Sequence, residues 1–571
     1  MDYTIRIGGQ AGQGIQTIGA ALAKVFARAG LHVFTHQDYM SRIRGGHNFY
    51  QIRVSETPVR ASRRQVDVLV ALDALTVELH LPQVKPSGVV LYDREALRRT
   101  FEGPQFIDVP MRKMALEVAH NPIMANTAAT ATVLGLLGLS LEPFSQVLKE
   151  TFKKKSPQVL EQNLEVAQRG YQFAKSSCPR CSFTLRGRKE RLLLINGTQA
   201  MGLGALLSGC KFYSAYPMTP STGIMLYLAQ KAQEYGLVVE QAEDEIAAIN
   251  MALGASFAGV RAMTATSGGG FALMVEGLSL AGMTETPIVI AECQRPGPAT
   301  GLPTRTEQAD LLYVLHAGHG EFAKVLFAPG SPKQALRLMN KAFELSERFQ
   351  VPALVLIDQY LADSQWTFSS LNTSALRYQD YRLRGEALQG LSSYRRHALT
   401  DTGVSPLAPP CASHHLVVTD SDEHDEEGHI IEDAPTRVAM VKKRLHKKLP
   451  LLRREIEPPT FYGQERPEVM LVGWGSMYGL LREAVDALRG ALKVGMLHFS
   501  ELYPFPLQER YDFMGPLQKA RRSICIEQNA SGQFAHLMKA ETGFSFDALI
   551  TRYDGRPFML EELLEEIDAH I

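Results

Sequence analysis

The chain has 571 residues, 45% of them hydrophobic, with 60 Lys plus Arg balanced by 60 Asp plus Glu and only six cysteines. That length exceeds one hydrophobic core, so three or four domains are expected, and the zero net charge argues against nucleic-acid or membrane-surface binding carried by bulk charge. Apolar runs such as Val68–Leu72 and Leu192–Ile195 are too short to span a bilayer, and Met1–Thr4 lacks a basic-then-apolar leader pattern, so a protein of the reducing cytoplasm is expected.

A short strand is predicted at Tyr3–Ile7, followed by the glycine loop Gly8–Gly14. Ile15, Ile18, Ala21, Leu22, Val25 and Phe26 then recur at helical spacing, and Gly30 is placed to end that helix as its C′ residue. Strands are predicted at Leu31–Thr35, Phe49–Val54, Val66–Leu72, Gly88–Tyr92 and Phe106–Val109. Helices follow at Ala125–Leu137, Glu142–Thr151 and Val159–Ala174, which gives an α/β layer domain over 1–180. The basic stretch Lys175–Arg191 reads as linker, with its boundary at 181–191. It holds Cys178 and Cys181, the only close pair; Cys210, Cys293, Cys411 and Cys525 are scattered. Iron–sulfur ligation usually shows grouped cysteines, so no cluster is expected in this chain.

From Leu192 the alternation restarts, with strands at Leu192–Ile195, Phe212–Tyr216, Val238–Glu240, Ala262–Thr266 and Pro287–Glu292. Helices are predicted at Thr198–Leu207, Ser221–Tyr235 and Asp244–Ala258, and Gly268–Gly270 sits before another. These elements form a second doubly wound domain over 192–365. Residues 366–465 break the pattern and read as a connecting segment. Within it the acidic run Asp420–Glu427 and the basic run Arg437–Lys448 are expected to be solvated faces. Strands at Val469–Gly473, Lys493–His498 and Arg522–Glu527, with helices at Gly479–Leu488 and Tyr511–Lys519, predict a third α/β domain over 466–571.

Five motifs can carry chemistry. The loop Gly8, Gly9, Gly12, Gly14 lies between strand and helix, where backbone N–H groups favour phosphate. It is not the dinucleotide fingerprint, because Thr17 stands where the third glycine would, and a tight turn is the alternative reading. Arg42 and Arg44-Gly45-Gly46-His47-Asn48 form a second small-residue loop, either a surface turn or a partner in holding an anionic tail. Tyr216-Pro217-Met218-Thr219-Pro220 follows a strand and precedes a helix, with Pro220 suited to the first helical position. Strand C-terminal ends of a parallel sheet bind ligands, although Thr219 can equally be an N-cap. Glu245, in the triplet Glu243-Asp244-Glu245, either complements the helix dipole or is a partly buried acid–base carboxylate. Arg295, after its strand, suits a carboxylate ligand or a surface salt bridge.

Together the stretches Gly8–Gly14, Ser41–Asn48, Tyr216–Thr222, Glu243–Gly254, Thr266–Gly270, Gly301–Leu311, Gly473–Ser476, Glu527–Phe534 and Asp554–Phe558 resemble, in order, one family. It is the 2-oxoacid:ferredoxin oxidoreductases, in the form whose γ part is fused ahead of its α part, as in the α subunit of the 2-oxoglutarate enzymes. The resemblance implies a γ-like, coenzyme A-associated domain, a pyrimidine-type thiamine diphosphate domain and a transketolase-C-like domain. It implies that Glu245 bonds N1′ of the aminopyrimidine, with Tyr216 and Pro217 beside the cofactor, and that Thr219 and Arg295 bind the 2-oxoacid. Gly8, Gly9, Gly12 and Gly14 would contribute to the coenzyme A site.

The activity implied is CoA-dependent oxidative decarboxylation with ferredoxin as acceptor, reversible as reductive carboxylation. No Gly-Asp-Gly followed by Asn-Asn is present; Asp554-Gly555-Arg556 lacks both the leading glycine and the asparagines. Mg²⁺, the diphosphate site and a 4Fe–4S cluster are therefore expected on a β-type partner in an (αβ)2 assembly. The fused arrangement points to 2-oxoglutarate, with pyruvate or broad 2-oxoacid use as the alternative. Arg305, Arg42 and Arg44 are candidates for a distal carboxylate. A nucleotide-binding acyl-transfer enzyme and a non-catalytic CoA- or nucleotide-binding scaffold are the rival readings, and neither accounts for Tyr216–Thr222, Glu245 and Arg295 jointly.

Overall fold

A computed structural model of the chain describes residues 1–41, 45–177 and 183–571; Arg42, Arg44, Cys178 and Cys181 lie outside the described residues. Two compact units divide the chain: 1–195 with 364–371 and 558–565, and 196–363 with 372–557 and 566–571. Among the described residues no helix is long and apolar enough to cross a membrane.

The first unit is built on a mixed eight-stranded sheet. Its spatial order is Phe106–Asp108, Val84–Tyr92, Val66–Ala71, Asp2–Ala11, Gly45–Ser55, His32–Asp38, Gln365–Phe368 and Leu193–Asn196. The strands of the first half run parallel, whereas Asp2–Ala11, Gly45–Ser55 and His32–Asp38 pair antiparallel. Ile5, Ile7, Ile52, Val68 and Val70 bury one face of the sheet under Ile18, Leu22 and Phe26. The helix Ile15–Arg28 ends as its sequence predicts: Gly30 takes φ 72°, its N–H bonds Ala27 O at 3.1 Å, and Leu31 N–H bonds Phe26 O at 3.0 Å.

Two boundaries differ from expectation. The first strand runs on through Gly8 and Gly9, which pair with Phe49 and Asn48, so these glycines belong to the sheet rather than to the loop. They are there because a Cβ on Gly8 would stand 2.5 Å from the Thr76 methyl, and only glycine lets that helix approach. Leu193–Asn196, expected to open the second domain, instead lies at the edge of the first sheet beside Gln365–Phe368. Trp366 is buried there edge-on to Phe34 at 5.2 Å, an aromatic contact that draws the strand across.

The second unit holds two sheets. One has seven strands in the order Glu501–Tyr503, Val325–Phe327, Pro352–Asp358, Ile288–Gln294, Arg261–Thr266, Cys210–Ala215 and Val238–Gln241. All are parallel except Glu501–Tyr503. The other has five strands, with Val494–Phe499, Val469–Trp474, Arg522–Glu527 and Ala548–Thr551 parallel and Thr460–Gly463 antiparallel at its edge. Parallel strands buried on both faces read as near-continuous apolar runs, and Ile288–Gln294 is buried at every position.

The basic run within the connecting segment is not a solvated face. Lys443 and Lys448 lie on the helical stretch from Ala434 to Glu455 and are fully buried, both donating to the Glu285 carboxylate. Glu423 of the acidic run accepts from Arg444 at 2.7 Å and also from Arg437. Opposite charges within the segment neutralise each other, and two lysines neutralise an acid of the domain beneath.

Candidate active site

In the seven-stranded sheet the chain leaves Cys210–Ala215 toward one side and returns at Arg261–Thr266 on the other. Between those neighbours the strand order reverses, and the crevice outside their carboxyl ends is where open α/β sheets bind ligands. The loop Tyr216–Pro220 leaves the first of these strands, and Ser267–Gly270 leaves the second.

Thr219 does not cap the following helix. That helix spans Thr222–Tyr235 with Ser221 at its N-cap, so Pro220 also lies ahead of the first helical position where the sequence put it. Tyr216 is 40% exposed, and Pro217, Met218 and Thr219 are half-buried. Arg295, one residue beyond the strand Ile288–Gln294, is half-buried and donates from Nη1 to the Thr219 carbonyl at 2.7 Å. This contact joins the two loops that the sequence singled out separately. Burial lowers the Arg295 pKa, opposed by the nearby carboxylates of Asp310 and Glu292.

The acidic triplet is split by role. Asp244 caps the helix Glu245–Phe257, its Oδ1 accepting from Ala247 N–H at 2.7 Å. Glu245, the next residue, is only 4% exposed, and its Oε1 is buried with no hydrogen-bond partner among the described residues. The helix dipole is thus already served by the cap, and the Glu245 carboxylate is turned inward.

Its neighbour is the glycine turn. Gly268, Gly269 and Gly270 form the first turn of the helix Gly268–Thr284 rather than preceding it. A Cβ on Gly270 would stand 2.5 Å from Glu245 Oε1 and would overlap Thr266 Oγ1. The Thr266 hydroxyl in turn lies 3.9 Å from the Met218 sulfur. Gly270 and Thr266 therefore connect Glu245 to the Tyr216–Thr219 loop, and the missing Cβ lets the carboxylate oxygen and the Thr266 hydroxyl pack directly against the helix. A buried polar atom without a partner costs about 1–3 kcal/mol, so such a group calls for a ligand.

Two further acids were not evident from the sequence. Glu292 is completely buried, and among the described residues its carboxyl meets no N–H or hydroxyl donor, only the Asp310 carboxyl. Burial, then Asp310, raises its pKa well above the usual carboxylate range. Asp310, just ahead of the helix Leu311–His316, is pushed up to about 6 by burial. The available signal was a charged residue inside the apolar run Ile288–Cys293. Arg305 is also buried, its side-chain stem against Gly555.

The remaining candidates lie in the first unit. Gly12 and Gly14 take φ near 90°, and Gly14 is the N-cap of the helix Ile15–Arg28 without a side-chain cap. A Cβ on Gly14 would collide with the Asn126 amide, and Gly12 faces open space. A cleft of about 380 Å³ opens here between Gly12, Gly14 and Thr17 on one side and Gln37, Tyr39 and Asn48 on the other. Uncapped backbone N–H groups at its wall suit an anion.

Comparison with known proteins identifies the family. Residues 203–443 match the family described as pyruvate flavodoxin/ferredoxin oxidoreductase, thiamine diphosphate-binding. Residues 4–173 match pyruvate ferredoxin/flavodoxin oxidoreductase. The chain is 31% identical to the 2-oxoacid:ferredoxin oxidoreductase subunit alpha of a Sulfolobus species, over 98% of this chain and 96% of that one. It is 26% identical to the 2-oxoglutarate oxidoreductase subunit KorA of Mycobacterium tuberculosis, over 98% and 90%. A solved structure of 2-oxoglutarate:ferredoxin oxidoreductase from Magnetococcus marinus, with 2-oxoglutarate, coenzyme A and succinyl-CoA bound, matches with a TM-score of 0.91 at 31% identity. It covers 100% of this chain and 99% of that one.

Proposed function

The chain belongs to the 2-oxoacid:ferredoxin oxidoreductase α subunits, and on that premise we propose that it acts on 2-oxoglutarate, with coenzyme A as acyl acceptor and ferredoxin as electron acceptor. The observation that carries this reading is the buried, unsatisfied Oε1 of Glu245 facing the bare Cα of Gly270. The carboxylate fits an aminopyrimidine ring by offering its nitrogen a hydrogen-bond partner, and the bare glycine lets Glu245 hold that position against the helix. Thiamine diphosphate, when bound, supplies the nucleophilic carbon and the electron sink that decarboxylation of a 2-oxoacid requires.

The protein's own groups then have separate tasks. Glu245 holds a proton at the aminopyrimidine nitrogen, and Tyr216 and Pro217 wall the ring's side of the crevice. Arg295, held by the Thr219 carbonyl, presents its remaining donors to the substrate carboxylate, and the Thr219 hydroxyl lies within the same loop. A guanidinium fork is matched to a carboxylate in both charge and shape. In the first unit, Gly12 and Gly14 at the helix N-terminus would receive the phosphates of coenzyme A, while Gly8 and Gly9 serve the packing of the strand behind them.

A β-type partner completes the enzyme in this reading, carrying Mg²⁺, the diphosphate site and the 4Fe–4S cluster within an (αβ)2 assembly. The sequence offers neither a Gly-Asp-Gly with paired asparagines nor grouped thiolates, and burying a diphosphate needs metal or many donors. The test is to assemble the chain with a β-type subunit and to assay 2-oxoglutarate, pyruvate and other 2-oxoacids with CoA and ferredoxin. The expected result is the highest kcat/KM for 2-oxoglutarate, with Glu245→Gln lowering turnover by roughly 10²–10⁴-fold while the complex stays assembled. Near-normal turnover of the variant would remove Glu245 from the chemistry, and a preference for pyruvate would move the substrate assignment.

A further inference from the structure

Glu292 and Asp310 take no part in the reading above, yet they lie beneath its carboxylate anchor. Glu292 and Gln294 sit two apart on a central strand and so share a face of the sheet. The Gln294 Oε1 accepts the Asp310 N–H at 3.1 Å, which fixes Asp310 beside that face. On the other side, a Cβ on Gly268 would stand 2.5 Å from Asp310 Oδ2, so the carboxyl is pressed against the first turn of the helix Gly268–Thr284. Arg295 follows the strand immediately and interacts with both acids. Glu307 from the preceding loop and the Tyr313 phenol from the helix Leu311–His316 are the other titratable groups that sense Asp310.

The charge count follows from elementary electrostatics. Glu292 is completely buried and Asp310 half-buried beside it. Two adjacent carboxyls of which one is out of water do not readily both ionise, so the pair holds one proton and one negative charge, and that charge balances Arg295. A 2-oxoacid carboxylate arriving at Arg295 adds a second negative charge beside the pair. An uncompensated buried charge is costly, and uptake of one proton by the pair restores neutrality.

We propose that the Glu292–Asp310 pair is a proton reservoir coupled to substrate binding: it holds one proton in the free enzyme and takes a second from solvent when the 2-oxoacid carboxylate seats on Arg295. The inference rests on Arg295 being that anchor. Burial supports it by pushing Asp310 up to about 6 and Glu292 further, so the second proton is within reach near neutral pH. Below that value the pair is already doubly protonated and binding needs no proton. Above it, affinity falls by up to about tenfold per pH unit.

The experiment measures kcat and KM for the 2-oxoacid on the assembled enzyme from pH 5.5 to 8.5, for the wild type, Asp310→Asn and Arg295→Ala. The wild-type KM should stay level on the acid side and then climb by about tenfold per pH unit over at least one unit. Asp310→Asn, which mimics the proton-loaded pair, should keep a low KM that no longer climbs. A level wild-type KM above pH 6 overturns the proposal with no variant needed, and so does an Asp310→Asn profile parallel to the wild type. Arg295→Ala separates the two layers. A raised KM there, with no pH climb in the wild type, leaves the anchor standing and removes the reservoir. An unchanged KM removes both.

Discussion

Two buried glutamates flank the strand Ile288–Gln294, Glu285 just ahead of it at the end of the helix Gly268–Thr284 and Glu292 near its C-terminal end, and the two are treated in opposite ways. Glu285, at its N-terminal side, accepts from Lys443 and Lys448 and lies 3.2 Å from His397 Nδ1. Burial alone would raise its pKa, but the two lysines and His397 outweigh it and hold the carboxyl well below the usual range. Glu292, at the C-terminal side, meets no N–H or hydroxyl donor among the described residues and faces a second acid. Compensation is strong at the N-terminal side of the strand and weak at the carboxyl end, where open α/β sheets bind ligands. A buried carboxyl without a cation beside it holds its proton more tightly, which is the property that acid–base and ligand sites use.

The largest expected effect falls on the compensated end. Glu285→Ala leaves two buried lysines facing each other, and breaking a buried ion pair by removing one partner typically costs about 3–5 kcal/mol. Thermal unfolding of the chain should show it as a large drop in midpoint. Because the folded-state pKa of Glu285 is depressed, its stabilisation is present above the usual carboxylate range and fades only as pH falls through the lowered value. A mild, pH-independent loss would mean that the lysine cluster is not held by Glu285.

At the functional edge the same kind of damage should spare stability and strike turnover. Gly270→Ala puts a methyl 2.5 Å from Glu245 Oε1, and a side chain rather than backbone must give way. Displacing a reacting group by about an ångström can cost on the order of 10²-fold in rate. The check is kcat of the assembled enzyme beside its unfolding midpoint. A variant that loses stability and keeps kcat would show Gly270 to be a packing residue only.

The sequence made the fold class legible because strand and helix periods alternate cleanly from Leu193 to Asp363. Motif order singled out Glu245, Thr219 and Arg295 as candidates, yet could not tell a capping acid from a buried one. Asp244 and Glu245 are neighbours of like charge, and only backbone direction decides which turns inward. Glu292 went unnoticed because an acid in an apolar run has no period of its own. Lys443 and Lys448 were misjudged because a basic run is solvated unless a distant acid claims it, and Glu285 lies far away in sequence. Gly8 and Gly9 looked like a loop because close approach of Thr76 is invisible in one dimension.

A smaller effect is expected at Arg295. Arg295→Ala removes a charge-assisted bond to the substrate worth about 1.5–3 kcal/mol, a rise in KM of roughly 10- to 150-fold. Unlike the Glu285 variant it should leave the unfolding midpoint nearly unchanged, since the guanidinium is half-buried and gives one hydrogen bond to Thr219. An unchanged KM with every 2-oxoacid would take Arg295 out of the site.

The smallest effect has the opposite sign and tests the comparison most directly. Burial and the facing Asp310 raise Glu292 well above its ordinary value of 4.5, so the folded chain binds this proton more tightly than the unfolded chain. Its contribution to stability is therefore fully present below about pH 4.5 and is lost as pH rises toward the folded-state pKa. Glu292→Gln keeps the shape of the protonated acid and cannot titrate. The variant and the wild type should unfold alike at pH 4, and by pH 7 the variant should be the more stable, by on the order of 1 kcal/mol. Glu285→Gln, the same change just ahead of the strand, should destabilise at neutral pH, because there the ionised form is the one the fold retains. Parallel stability curves for Glu292→Gln and the wild type between pH 4 and 8 would mean that folding does not raise the Glu292 pKa, and the contrast between Glu285 and Glu292 would fail.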